Sequence, residues 1–183
     1  MSAARPTAVL GVAGGIAAYK VAYVASGLVQ RGVDVRVAMT SSSLSFVGPS
    51  TFGGLTGTQP ILSSTQVDPD GAVPHIEAGR AAQVYCIAPA TAGVLAQLAS
   101  GAADDPVALL ATTVQCPILL CPAMNDAMWQ RAAVQRNVEV LRARGVEMLG
   151  PVEGHLAEGY DAVGRMVEPD AILDRLAAVL DLA

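Results

Sequence analysis

The stretch Pro122-Ala123-Met124-Asn125-Asp126-Ala127-Met128-Trp129 gathers an uncharged amide, two of the six methionines next to it and the sole tryptophan. An asparagine amide there offers neutral N–H donors at the carboxyl end of a strand, where ligands bind in an open parallel sheet. Met128 and Trp129 would exclude water or shape a pocket around such a group; the plainer alternative makes them core side chains and Asn125 a helix cap. A second residue with chemical capacity is His75, in Pro74-His75-Ile76. It opens a helical stretch, and the positive end of a helix dipole disfavours an imidazolium there, leaving a neutral base able to take a proton. A surface histidine with no task is the alternative.

These residues need elements to hold them. Pro117-Ile118-Leu119-Leu120 is an apolar run with the character of a short buried strand. A turn at Pro122 and a helix start near Asn125 should follow. Upstream, Thr7 to Ala13 reads as an apolar strand, Gly14-Gly15 as a turn, and Ile16 to Arg31 as a helix closed by Gly32. Val33 to Met39 alternates into a second strand. Strand, glycine turn, helix and strand form a βαβ unit, hence a parallel sheet with right-handed crossovers.

Further along, Gln83 to Ala88 is a third strand, Pro89 to Gly93 a turn, and a helix runs to about Ser100. Pro106 starts a helix over Val107 to Val114, and Arg131 to Arg144 is a helix closed by Gly145. Val146 to Leu149 is a last short strand, and Asp170 to Leu182 a closing helix. A weak short helix ends near Leu55. Val67 to Pro74 and Gly150 to Met166 read as loops, the second long enough to be a functional flap. The expected fold is α/β, a Rossmann-like (flavodoxin-like) doubly wound parallel sheet in a single domain over residues 1–183.

In such a sheet ligands bind beyond the carboxyl ends of the strands. Gly14-Gly15, Thr40 to Ser43, Pro89 to Gly93 and Pro122 to Trp129 all fall there. Gly14 and Gly15 offer bare backbone N–H groups to a phosphate, although Gly-x-x-Gly-Gly lacks the full dinucleotide spacing. A nicotinamide dinucleotide site would place an acidic residue after the second strand. Thr40-Ser41-Ser42-Ser43 stands there instead, which favours a mononucleotide; an ordinary polar loop is the alternative.

The totals set further bounds. Of 183 residues, 52% are hydrophobic and only 15% charged, so surface buried against other subunits is expected. A net charge of −5 without a basic stripe argues against nucleic acid. No apolar run reaches the roughly 18 residues of a membrane span, and no signal-peptide pattern opens the chain, so a cytoplasmic protein is expected. Cys86, Cys116 and Cys121 read as free thiols, since Cys116 and Cys121 flank one strand roughly 17 Å apart. With only His75 and His155 and no zinc-type spacing, no metal is expected.

With those residues placed, the chain resembles the homo-oligomeric flavin-containing cysteine decarboxylases. That family includes phosphopantothenoylcysteine decarboxylases and the peptidyl-cysteine decarboxylases of lantibiotic-type peptide biosynthesis. The likeness runs over roughly the whole chain. Gly14-Gly15-Ile16-Ala17-Ala18-Tyr19-Lys20 looks like the family's opening phosphate turn, and Pro74-His75-Ile76 like the segment bearing its active-site histidine. Pro89-Ala90-Thr91-Ala92-Gly93-Val94 corresponds to a Pro-Ala-Ser-Ala-Asn-Thr motif. Pro122 to Trp129 fits Pro-x-Met-Asn-x-x-Met-Trp completely, and Gly164-Arg165-Met166 matches the end of the substrate clamp.

The resemblance implies FMN bound between subunits of a trimer, often assembled further into dodecamers. Gly14, Gly15, Ile16, Thr40, Ser42, Thr91, Ala92, Gly93 and Val94 would surround the cofactor. His75 and Asn125 would be catalytic, and Asn125, Met128, Trp129, Glu158, Arg165 and Met166 would meet the substrate. Two positions depart from the pattern. Gly93 stands where asparagine is usual, and Glu158 where phosphopantothenoylcysteine decarboxylases carry the cysteine that completes reduction of the enethiol.

Without that cysteine the reaction should stop halfway. The expected function is therefore FMN-dependent oxidative decarboxylation of the C-terminal cysteine of a precursor peptide to an aminoenethiol. The alternatives are phosphopantothenoylcysteine decarboxylation for coenzyme A and a non-catalytic flavin-binding regulatory protein; a flavin prenyltransferase is more remote.

Overall fold

Five parallel strands, β1 (Thr7–Val12), β2 (Asp34–Met39), β3 (Val84–Ala90), β4 (Ile118–Pro122) and β5 (Glu147–Met148), carry the chain in the order β2-β1-β3-β4-β5. The computed structural model describes residues 5–182. Every residue of β1 and β3 is buried, which suits their unbroken apolar sequences in a sheet covered on both faces.

Successive side chains of β1 enter opposite layers. Ala8, Leu10 and Val12 meet α1 (Ala18–Gln30), α2 (Pro49–Thr56) and α8 (Pro169–Val179). Val9 joins Tyr85 and Ile87 against α3 (Pro74–Ala81), α4 (Ala92–Ser100), α5 (Pro106–Thr113) and α7 (Ala132–Ala143). This is the expected doubly wound fold.

Local chemistry sets the helix ends. α1 buries Ala18, Val21, Ala25 and Leu28 on one stripe and is followed by Gly32 at φ +78°, a left-handed residue that costs glycine little. Asp105 caps α5, its Oδ1 accepting from the N–H groups of Val107 (2.8 Å) and Ala108 (3.1 Å) ahead of a proline in the first turn. At the sheet's far edge, Arg175 of α8 donates two hydrogen bonds to Glu147 of β5 (2.7 and 2.8 Å), which holds that carboxyl below its ordinary value. No helix among the described residues is long and apolar enough to cross a membrane.

The centre of the sheet contains one buried polar group. Gly11 leaves room for the Tyr85 ring, since a Cβ on it would stand 2.6 Å from the Tyr85 hydroxyl and 2.9 Å from Val107 Cγ1. The Tyr85 hydroxyl donates to the Val107 carbonyl at 2.8 Å, and burial pushes its phenol well above the ordinary range.

The ends of two strands and the flap need correction, while the helix start near Asn125 and the separate helix after Arg131 are as expected. The third and fourth strands run two residues further than their apolar stretches, because Ala90 pairs with Pro122 across the sheet. The helix beginning after Asn125 is a single turn, α6 (Asp126–Trp129), before α7 begins anew. Residues 150–166, read as an irregular flap, form an antiparallel hairpin of β6 (Val152–His155) and β7 (Asp161–Arg165). Both hairpin strands are short and mostly exposed, so neither shows the apolar alternation of a half-buried strand.

Replacing Tyr85 by Phe should cost about 1 kcal/mol, because the buried Val107 carbonyl loses its hydrogen bond from the phenol. Urea unfolding should show a lower midpoint with an unchanged slope.

Candidate functional site

The strand order reverses direction between β1 and β3, and a cleft of about 620 Å³ opens there, beyond the carboxyl ends of the strands. That volume suits a small organic ligand. One wall is the turn after β1, Gly14 to Ala17, continuing to Tyr19 and Lys20. The floor is Thr91 to Gly93 after β3. The opposite wall is Ala123 to Asn125 with Met128 after β4, and the roof is the hairpin through residues 155–158 and 164–166.

The turn after β1 depends on glycine. A Cβ on Gly14 would collide with Ser42, whereas one on Gly15 would make ordinary contacts with Pro89 Cγ at 3.6 Å and Thr91 Cγ2 at 3.8 Å. Ser42 belongs to a 3-10 turn, Ser41–Ser45. Thr40 Oγ1 accepts from the Ser43 N–H (3.3 Å) and shares a hydrogen with Ser42 Oγ (3.0 Å), while Ser43 Oγ donates to the Thr40 carbonyl (2.7 Å). These hydroxyls therefore satisfy their own turn. Thr40 and Ser42 support the cleft through Gly14 and are not among the residues lining it. On the floor, Thr91 Oγ1 caps α4 by accepting from Val94 N–H at 3.4 Å. Val94 turns into the core. A Cβ on Gly93 would touch nothing closer than Thr91 Oγ1 at 3.9 Å, so the glycine leaves open space.

Asn125 is the most completely bonded side chain of the cleft. Its Oδ1 accepts from the Ala127 N–H at 2.9 Å, capping α6. Its Nδ2 donates to Glu158 Oε1 at 3.0 Å and to the Tyr160 hydroxyl at 3.1 Å. The Tyr160 hydroxyl in turn donates to Asp126 Oδ1 at 2.6 Å, and this bond to a carboxylate holds the phenol above its ordinary value.

Tyr160 and Asp126 were not singled out from the sequence. Only the hairpin brings Tyr160 to a residue 35 positions away, and nothing local in the sequence marks it. The Met124 N–H donates to the Gly164 carbonyl at 3.0 Å, and a Cβ on Gly164 would collide with the Met124 carbonyl. Two cations line the cleft, Lys20 and Arg165, and both pair with Glu168, the ammonium at 2.9 Å. The Lys20 hydrogen bond is the main reason the Glu168 carboxyl lies below its usual range.

Of the residues expected in the site, Gly14, Gly15, Ile16, Thr91, Ala92, Gly93, Asn125, Met128, Glu158, Arg165 and Met166 line one cleft. Trp129 does not; it packs beside the core of the second helical layer and its carbonyl accepts from Gln135 Nε2. His75 lies in the first turn of α3, as expected, but does not line the cleft either, and its Nδ1 is buried without a partner. Beside the Gly14 wall, Ile16, Tyr19 and Tyr23 form an exposed apolar stripe, 63%, 51% and 66% accessible.

A family model described as Flavoprotein matches residues 2–181. The chain belongs to the Flavoprotein family. Over 180 residues it is 42% identical to the coenzyme A biosynthesis bifunctional protein CoaBC of Escherichia coli K12, covering 97% of this chain and 44% of that protein. CoaBC of Mycolicibacterium smegmatis is 41% identical over 180 residues, 98% of this chain and 43% of that protein. The chain thus spans less than half the length of these curated relatives.

Among solved structures, the FMN-dependent cysteine decarboxylase SpaF superposes with a TM-score of 0.81 at 33% identity, over 96% of this chain and 98% of that one. A cysteine-to-serine variant of PPC decarboxylase, complexed with pantothenoylaminoethenethiol, superposes with a TM-score of 0.84 at 26% identity, over 97% and 100%. The family resemblance drawn from the motifs is therefore correct.

Substituting Gly164 by Ala should lift the hairpin off Met124. Hydrogen exchange should then quicken about tenfold or more at amides of 152–165, while those of β1 and β3 keep their protection.

Proposed function

We propose that this chain binds FMN in the cleft and decarboxylates a substrate ending in a cysteine carboxylate, with phosphopantothenoylcysteine as the substrate its relatives favour. What carries this reading is the seat on Asn125: a neutral amide, fixed by its own helix cap, already holds a carboxylate at the switch point of the sheet. The residues present fit a flavin mononucleotide. Gly14 and Gly15 bare their backbone, Gly93 leaves open space, and no acidic side chain follows β2 to receive a second ribose. Lys20 and Arg165 give the cleft the positive charge that a phosphate-bearing ligand needs.

Bound FMN supplies a two-electron acceptor for the CH2–SH group of the substrate, turning it into a thioaldehyde that can take up the electrons left by CO2. The protein's part is placement and proton handling. Asn125 would hold the departing carboxylate with neutral donors, which do not favour the anionic ground state over the transition state. Gly14 to Ala17 and Thr91 to Gly93 would hold the cofactor, and Met128 and Met166 would exclude water from the pocket.

His75 would accept the thiol proton. Because it lies off its own chain's cleft with Nδ1 unpartnered, it would act in the cleft of a neighbouring copy. The stripe of Ile16, Tyr19 and Tyr23 gives such a copy an apolar face to cover. The active form is then a homo-oligomer.

A second reading, a peptidyl-cysteine decarboxylase that releases the aminoenethiol, is favoured by Glu158. It stands where the resemblance places a reducing cysteine, and the PPC decarboxylase variant lacking a cysteine is the one described with an aminoethenethiol bound. Mass spectrometry separates the two. Phosphopantothenoylcysteine losing about 44 Da (CO2, with the two electrons taken by the flavin and two protons returned to the enethiol) supports the first; a cysteine-ending peptide losing about 46 Da (CO2 and two hydrogens, the electrons passing to an outside acceptor) supports the second. Yellow protein that converts neither would overturn both.

Asn125→Asp places a like charge against the substrate carboxylate and should lower kcat/KM at least about a hundredfold, roughly 3 kcal/mol. His75→Asn should abolish turnover while flavin absorbance at about 450 nm persists in the purified protein.

A further inference from the structure

The Asn125 side chain has no spare donor. Its carbonyl oxygen is held by the Ala127 N–H, and its two amide hydrogens go to Glu158 and Tyr160. A substrate carboxylate can reach it only by displacing one of the two. Tyr160 is anchored a second time through Asp126 Oδ1. Glu158 is not. Among the described residues it makes no ion pair, and its one side-chain hydrogen bond is the bond to Asn125. It sits at the tip of the hairpin, where the Leu156 N–H donates to the Tyr160 carbonyl (2.8 Å) and Gly159 takes φ +91°. The Glu158 side chain is exposed, so it can swing into solvent without breaking the turn that carries it.

We propose that Glu158 is a built-in competitor for the substrate: its carboxylate occupies the Asn125 seat at rest, and a substrate carboxylate enters by exchanging with it. The inference rests on the reading of Asn125 given under Proposed function. The exchange is like for like, one carboxylate–amide hydrogen bond for another, so the seat contributes little net affinity, and tight binding must come from the rest of the substrate. Glu158 thereby sets how much additional contact a ligand must make before its carboxylate is admitted. A ligand that leaves Asn125 alone does not meet this threshold, because Glu158 stays where it is. Loss of the competitor should tighten binding of every ligand that takes the seat.

The test uses the FMN-loaded protein and a probe that cannot turn over through its thiol, an N-acyl-S-methylcysteine, as free acid and as the carboxamide. Titration calorimetry should show the acid binding Glu158→Ala about tenfold more tightly than the unaltered protein, ~1.4 kcal/mol. The carboxamide should bind both equally. Glu158→Gln keeps an acceptor on Asn125 without the charge and should fall between.

A crystal soaked with the acid should place its carboxylate within hydrogen-bond distance of Asn125 Nδ2, with Glu158 turned outward. Equal or weaker binding of the acid by Glu158→Ala would overturn the competitor, even if both proteins decarboxylate cysteine substrates. A tenfold gain in a protein that decarboxylates nothing would support the competitor and remove the catalytic reading instead.

Discussion

The reversal of strand order between β1 and β3 is the constraint on which the molecule depends. With β2 on one side of β1 and β3 on the other, the connections leave the sheet toward opposite faces, and a gap opens where they part. Three segments that line the cleft leave the sheet near this gap. Gly14 and Gly15 leave β1, Thr91 to Gly93 leave β3, and Asn125 leaves the neighbouring β4. Extending β3 and β4 to Ala90 and Pro122 makes the last two more rigid. The pairing carries strand geometry up to the point where the site begins, so Asn125 is positioned three residues beyond a hydrogen-bonded strand.

The hairpin solves a different problem. A gap at the end of a sheet is open on one side, and something not part of the sheet must close it. β6 and β7 do so with little apolar burial of their own; they are held by the Met124–Gly164 hydrogen bond and by the Tyr160–Asp126–Asn125 chain. Leu156 and Met166 bury apolar side chains at the two ends of the roof, while the hairpin tip between them is held by polar contacts, the kind a competing polar ligand can exchange with. Segments that move on binding come from such low-stability regions.

What was legible in the sequence follows the strength of the packing signal. β1, β3 and the apolar part of β4 are unbroken apolar runs because both their faces are covered, and the amphipathic stripe of α1 is as plain. The ends of β3 and β4 were not legible, since Ala90 and Pro122 are strand residues only because they face each other. Thr40 and Ser42 show why hydroxyls are ambiguous in a sequence: a group that could meet a phosphate can equally bond within its own turn, as Thr40 Oγ1 does to the Ser43 N–H and the Ser42 hydroxyl. The cap at Asn125 was readable because it needs only its own following residues, while its partners Tyr160 and Glu158 arrive from a hairpin with no periodic signal. The cysteines show the same limit. Cys116 and Cys121 are neighbours in sequence, but the thiols that meet, at 3.9 Å, are Cys86 and Cys121, side by side on β3 and β4.

The charge arrangement gives the cleft two unlike ends. Near the turn after β1, Lys20 and Arg165 share one carboxylate, Glu168, which leaves one positive charge uncompensated where an anionic ligand would enter. The charged side chains in the hydrogen-bond chain at Asn125 are acidic, Asp126 and Glu158, and both are bonded to neutral donors. An anion meant to stay is best met by the first environment and an anion meant to leave by the second. Burying a carboxylate against neutral donors raises its energy relative to a salt bridge, and that difference disappears once the charge has departed as CO2. On the proposed reaction, an uncharged side chain at position 125 would bind a carboxylate well enough to orient it and too weakly to keep it.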